Sequence, residues 1–338
     1  YLNQIFFGPP GTGKTFHTIN EAIKIADPEF YKIHNNDREQ LKARFKLLSL
    51  NNDNEFEGQI GFTTFHQSFS YEDFIEGIKP NEPKEGDAFL KYEIQEGVFK
   101  KICRLAHDSL NVNALAPKNF VLIVDEINRG NVSSVFGELI TLIEKDKRAG
   151  ADEELSVTLP YSKETFSVPQ NVYIIGTMNT ADRSIEALDT ALRRRFSFRE
   201  IPPKHNLIET VGSLKSTNGK LGDIDVVKIL ETINNRIEKL IDKDHKIGHS
   251  YFLNISSKQD LKDTFRDKVI PLLEEYFFGD FGKISLVLGS SFISKESKAD
   301  VSFATSNDYD PSIANDLLER SIYEITSENN WDFKAIYE

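Results

Sequence analysis

Gly8-Pro9-Pro10-Gly11-Thr12-Gly13-Lys14-Thr15 has the spacing G-x-x-x-x-G-K-[ST], a pattern whose chemistry is phosphate binding. Glycines let a loop wrap tightly enough to aim several backbone N–H groups inward, and a helix starting at the loop adds its positive dipole end. Lys14 is expected to reach the β- and γ-phosphates of a nucleotide, and the Thr15 hydroxyl to ligate Mg²⁺. Phosphate binding alone does not imply hydrolysis. Asp125-Glu126, after the apolar run Phe120–Val124, supplies the second half. Asp125 is placed to hold Mg²⁺ through its water shell, and Glu126 to orient and activate an attacking water.

A third element, Gly176-Thr177-Met178-Asn179-Thr180-Ala181-Asp182-Arg183-Ser184, follows another apolar run. Ligands of parallel sheets sit outside the carboxyl ends of the strands, so Asn179 is the candidate to face the γ-phosphate. Its plainer role is to cap a helix beginning near Ser184. That helix is expected to carry Ile185, Leu188 and Leu192 on one face and to end in Arg193-Arg194-Arg195. The arginines could simply complement the helix dipole. Three in a row, expected near the catalytic edge of the sheet, also suit an arginine finger given to a neighbouring subunit's nucleotide.

These groups need a scaffold. Leu2–Phe7, Gly61–Phe65, Phe120–Val124 and Val172–Gly176 read as strands, the last two as continuous apolar runs of the kind covered on both faces. Lys14–Ile25, Arg38–Leu48, Gly97–Ser109 and Val132–Glu144 read as helices, and Leu155–Val168 as a hairpin. Strands alternating with helices predict a parallel α/β sheet. Ile201-Pro202-Pro203 breaks the texture, and Ile224–Ile241 and Lys258–Tyr276 read as helices. The expectation is an α/β nucleotide-binding subdomain over residues 1–200 and a mainly helical lid with the C-terminal region over 201–338. Lys79–Asp87 reads as a loop.

Across 338 residues the net charge is −12, a poor balance for a chain that binds nucleic acid through its own Lys and Arg. Cys103 is the single cysteine, so no intramolecular disulfide can form. No apolar stretch is long enough for a membrane helix, and the start lacks a signal-peptide pattern, which makes the cytoplasm the expected compartment. A sequence opening at Tyr1, close to the glycine loop, is expected to be part of a longer polypeptide. His245 and His249 lack partners in a metal-ligand pattern. For His249, packing is expected ahead of nucleotide sensing.

Taken together, the motifs resemble the AAA+ superfamily, and within it the McrB family. The closest echoes are Asp125-Glu126-Ile127-Asn128-Arg129-Gly130-Asn131, Met178 through Ser184, and Ala191-Leu192-Arg193-Arg194-Arg195-Phe196. Phe65 through Ile78 and Ile247-Gly248-His249-Ser250-Tyr251-Phe252 are also similar. The resemblance implies an AAA+ module with a helical lid that assembles into a ring, usually a hexamer. It implies that Asn179 acts as sensor, that one of Arg193–Arg195 acts in trans, and that Asn128, Asp182 and Arg183 belong to the polar network around the nucleotide. It further implies a GTP-driven, modified-cytosine-dependent restriction complex that translocates DNA, with cutting by a separate McrC-like nuclease. DNA would be met through the assembled complex or through an N-terminal domain outside this sequence. The guanine-reading Asn-Lys-x-Asp of small GTPases does not occur, so ATP stays open. Two rivals remain: an ATP-driven remodelling machine of the MoxR or dynein-related type, and a nucleotide-gated scaffold with little turnover.

Overall fold

The computed structural model describes residues 1–50, 58–80, 91–112, 117–182, 190–295 and 321–338, with Phe303, Ile313 and Leu318. The expected loop over 79–87 lies mostly outside them. So do Arg183 and the expected helix from Ser184 through 189.

Five strands form one parallel sheet: β1 (Asn3–Gly8), β2 (Ile60–Thr64), β3 (Phe120–Asp125), β4 (Val172–Asn179) and β5 (Ser197–Glu200), in spatial order β2-β3-β4-β1-β5. Successive side chains of a strand face opposite ways, and both faces here are apolar. Leu122 and Val124 join Ile5, Ile174, Phe99, Ile102 and Phe136 on one side. Val121 and Ile123 join Phe6, Ile175, Ala22, Leu48 and Ile60 on the other. The central strands are therefore sandwiched between helices, as the uninterrupted apolar runs predicted, and the fold is of the parallel α/β class.

Helix α1 (Lys14–Ala26) follows the glycine loop, and α2 (Arg38–Leu48) starts at Asp37, whose side chain accepts from Gln40 N. Helix α3 (Val98–Val112) buries Phe99, Ile102, Cys103 and Ala106. The helix expected over Val132–Glu144 is shorter. It stops at Phe136, where the backbone reverses to φ +51° at Gly137, and continues as a 3₁₀ turn over Gly137–Ile140. Two antiparallel hairpins, Glu76–Pro80 with Tyr92–Glu96 and Val157–Thr158 with Thr165–Phe166, lie outside the main sheet. The second is the hairpin expected from Leu155 to Val168. Buried Glu76 joins the two, accepting from Tyr161 N, Ser162 N and Lys100 Nζ (3.1, 2.9 and 2.7 Å). Lys100 also reaches Glu164 at 2.6 Å. The short helix α4 (Thr190–Arg195) leads into β5.

The chain divides into two compact units. One comprises Tyr1–Gly8 and Gly13–Ile201, the other Pro9–Thr12 and Pro202–Glu338. In the second, α5 (Val226–Leu240) buries Ile229, Leu230, Ile233 and Ile237. A helical run over 258–276 passes through one π turn, Phe265–Val269. Trp331 stacks on Phe292 at 5.3 Å, and Phe333 meets Phe265 edge-on at 5.0 Å, so the C-terminal tail is part of this unit's core.

Candidate functional site

At the carboxyl end of β1 the chain enters the glycine loop. A Cβ on Gly8 would lie 2.4 Å from the carbonyl oxygen of Ile201, so only glycine lets the strand pass there. Gly13, at φ +83°, turns the loop into α1 in the left-handed region that glycine tolerates. The first residues of α1 are Lys14 and Thr15. Lys14 Nζ donates to the Gly8 carbonyl at 2.8 Å, folding the ammonium back over the loop. Burial pulls its pKa down to about 8, against the opposing pull of Glu126, Asp125 and Asp182. The Thr15 side chain is exposed.

The loop tip, Pro9–Thr12, packs within the second unit. Gly248 N donates to Pro10 O and Ser250 N to Gly11 O, both at 3.0 Å. Nearby His249 is buried, its Nδ1 accepting from Lys204 N at 3.2 Å.

The acid pair sits where β3 ends, between β2 and β4. One residue missed in the sequence orients it. Thr177 on β4, 1% exposed, accepts from Glu126 N at 3.0 Å through its hydroxyl, which in turn donates to Asp125 Oδ1. A single hydroxyl thus fixes the backbone of one acid and the carboxylate of the other. Glu126 takes a left-handed φ of 52°, a conformation that costs about 1 kcal/mol or more for a non-glycine residue. The turn throws its side chain back towards Arg129, whose Nε stands 3.4 Å from Oε2. Burial raises the Glu126 pKa, and Arg129 opposes that rise.

Arg129 is the second residue the sequence reading passed over. Its Nη2 also pairs with Asp182 at 2.8 Å, so it bridges the acid of β3 to the loop after β4. Besides its place in the block Asp125 to Asn131, its signal in the chain was its position three residues after Glu126, which a 3₁₀ turn (Ile127–Arg129) brings onto the same side. Asn128, on that turn and 6% exposed, donates Nδ2 to the backbone carbonyl of Asn179 at 3.3 Å. Asn179 lies in register with Gly8, and Thr180 N donates to Gly8 O at 3.2 Å. Its Oδ1 accepts from Ala181 N at 3.4 Å. The structure therefore brings Lys14, Asp125, Glu126, Asn128, Asn179 and Asp182 together at the carboxyl ends of β1, β3 and β4.

Arg193–Arg195 are elsewhere, which corrects the expectation of a position near the catalytic edge. The Arg195 carbonyl accepts from the side chain of Asn3, the first residue of β1, at 3.0 Å. Gly8 is the last residue of that six-residue strand. At about 3.3 Å per residue, ~17 Å separates the cluster from the chain's own phosphate loop. Helix α4 enters β5 at its amino end, so its last turn must lie at the opposite edge of the sheet. Arg195 Nη2 pairs with Glu144 at 2.7 Å, whereas Arg193 and Arg194 are exposed.

The role of Thr177 has a measurable consequence. In Thr177→Val the Glu126 N–H loses its acceptor and Asp125 its donor. A buried unsatisfied group costs about 1–3 kcal/mol, and the loosened acids should lower kcat by roughly tenfold or more. Denaturant unfolding and nucleotide turnover check both effects, and a variant with wild-type turnover would refute the orienting role.

Residues 50–196 match the AAA domain of the dynein-related subfamily, and residues 225–285 match the McrB alpha-helical lid domain. The chain is 37% identical over 291 residues to the type IV methyl-directed restriction enzyme EcoKMcrB subunit of Escherichia coli K12, covering 82% of this chain and 54% of that protein. It is 26% identical over 305 residues to the type II restriction enzyme BsuMI component YdiS of Bacillus subtilis 168, covering 86% of this chain and 83% of that protein. The chain thus spans about half the length of the E. coli relative. With the parallel sheet, the glycine loop and the oriented acid pair, these matches place the chain in the McrB-like family of AAA+ P-loop NTPases.

Proposed function

We propose that this chain is the nucleotide-hydrolysing motor of an McrBC-type restriction complex, with GTP as the favoured substrate, acting in the cytoplasm as a homo-oligomeric ring, a hexamer in the favoured reading. The observation that carries the proposal is the convergence of Lys14, Asp125, Glu126 and Asn179 on the loop-bearing edge of the sheet, in a chain similar to a methyl-directed restriction subunit. Division into an α/β nucleotide-binding subdomain (1–200) and a lid region (201–338) belongs to the same reading.

The donor set suits Mg²⁺, a hard cation that takes oxygen ligands: the Thr15 hydroxyl and the Asp125 carboxylate would hold it, Asp125 through water. Bound there, the ion would neutralise charge on the β- and γ-phosphates. Lys14 supplies a further positive charge to the same phosphates. Glu126 orients and deprotonates the attacking water, steadied by Thr177 behind it and Arg129 beside it. Asn179 donates to the γ-phosphate from the neighbouring strand end. Asn128 and Asp182 position this edge, and Arg183 would extend that polar network. Phosphoryl transfer needs positioning and charge stabilisation more than covalent chemistry, so this set suffices.

GTP and ATP turnover measured side by side, alone and with a McrC-like nuclease, tests the reading. Faster GTP turnover, stimulated by the nuclease, is the expected result. ATP-only turnover without stimulation would favour the remodelling machine, a reading supported by the dynein-related label of the matching domain model. Capture of DNA would then fall to the assembled complex or to an N-terminal domain, since an acidic chain has little charge of its own to offer phosphates.

The site also sets a pH dependence. Burial brings the Lys14 pKa to about 8. The phosphates bind the protonated form, so nucleotide affinity should hold up to about pH 8 and then weaken, by up to about tenfold per pH unit. Binding above pH 8 should take up close to one proton, seen by calorimetry in buffers of different ionisation heat. An affinity that stays level from pH 7 to 9.5 would contradict this.

A further inference from the structure

The amino edge of the sheet holds a buried polar cluster that neither phosphate binding nor hydrolysis uses. Arg148 is fully buried, and its described acceptors are all uncharged. Nε donates to Ile143 O (3.2 Å), Nη1 to Pro169 O (3.2 Å) and Val172 O, and Nη2 to Asn3 Oδ1 (2.7 Å). The other end of the Asn3 carboxamide donates twice, to Ile143 O (2.9 Å) and Arg195 O (3.0 Å). Glu144, next to Ile143, pairs with the Arg195 guanidinium at 2.7 Å. The contacts close a circuit: Arg148 holds Asn3, Asn3 holds the Arg195 backbone, and Glu144 holds the Arg195 side chain.

Taking a guanidinium out of water is costly, and neutral carbonyls offset this less well than a carboxylate does. A core needs no such group to be stable, since an apolar residue of similar volume would serve. What the charge adds is direction, because its planar fork fixes several acceptors at set angles. One of those acceptors, Asn3, in turn donates to the carbonyl of Arg195, the last residue of α4, and the exposed Arg193 and Arg194 sit two and one residues before it.

We propose that Asn3 and Arg148 are positioning residues that clamp the end of α4, so that Arg193 and Arg194 meet the nucleotide of a neighbouring copy of this chain. This rests on the reading of that cluster as a finger acting in trans. Neither residue touches the reacting atoms. They act through the backbone of Arg195, and a misplacement of ~1 Å at a catalytic group can cost about a hundredfold in rate.

Asn3→Asp is the sharpest probe. It keeps an oxygen for Arg148, now in a charge pair that favours folding, but replaces the amide donor with an oxygen facing the carbonyls of Ile143 and Arg195. Turnover by the full chain is expected to fall about ten- to a hundredfold, with nucleotide affinity within about twofold of wild type, because the variant's own phosphate loop is at the other edge. Mixed with Glu126→Gln subunits, whose arginines are intact, the variant should recover turnover. Mixed with the double variant Arg193→Ala/Arg194→Ala it should not. Asn3→Ala, which removes both ends of the carboxamide, should behave like Asn3→Asp in both mixtures. Wild-type turnover in both Asn3 variants overturns the clamp, as does loss of nucleotide affinity in parallel with turnover. Wild-type turnover in the double arginine variant overturns the finger reading itself, and the clamp with it.

Discussion

Glu126→Gln is expected to bind nucleotide with near wild-type affinity and to lose turnover by about 10²- to 10⁴-fold, the range for removing a positioned general base. The amide matches the carboxylate in shape but cannot accept a proton from water. Three features of the site make the loss large. The backbone at Glu126 is held left-handed by a bond to the Thr177 hydroxyl, so the replacement cannot relax without breaking it. Arg129 pairs with the Glu126 carboxylate and with Asp182, and the variant releases half of that bridge. Burial already raises the Glu126 pKa, which brings a carboxylate closer to the basicity useful near neutral pH. Equilibrium binding of labelled nucleotide beside steady-state phosphate release gives both numbers. Unchanged release would remove Glu126 from the mechanism.

The Arg193→Ala/Arg194→Ala double variant should lose about 10³- to 10⁵-fold in turnover, the range known for arginine fingers, while keeping nucleotide affinity. The geometry gives a stronger test than the loss alone. Some 17 Å along β1 separates the cluster from its own phosphate loop, too far for a side chain to span, so any direct contact with a nucleotide must be made in trans. Mixing the double variant with Glu126→Gln should therefore restore activity that neither variant has alone. Each mixed interface pairs an intact acid from one copy with intact arginines from the other. A mixture as inactive as its parts would show that the arginines act only within their own chain, as dipole complements at the end of α4. Arg195 is kept out of this design because its pairing with Glu144 gives it a separate structural task.

Much of the catalytic edge could be read from the chain because its parts are contiguous. A glycine loop followed by Lys-Thr, and an acid pair after an apolar run, are local patterns whose chemistry needs a strand before and, for the loop, a helix after. The strands announce themselves by apolar runs buried on two faces, as Val121 to Val124 do. Composition and periodicity likewise carried the parallel α/β class and the helical texture after residue 202. Thr177 and Arg129 were out of reach for the opposite reason. Thr177 is 52 residues from Asp125 and meets it only because β3 and β4 are adjacent and in register. Arg129 matters only because a 3₁₀ turn points it at Glu126 and the loop after β4 brings Asp182 to it.

The arginine cluster marks the boundary most clearly. Its residue types, at the end of a helix, can be read from the chain, and so can the chemistry they could do. Which edge of the sheet they occupy cannot, since a helix may return a chain to either end. The pairing of β5 beside β1, Gln4 with Ser197, decides that α4 finishes at the amino edge. Asn3, Arg148 and Glu144 converge on it there from positions about 50 to 190 residues away. Local patterns carried the chemistry expected of the phosphate loop and the acids; strand order decided that the arginines lie at the edge away from their own chain's loop.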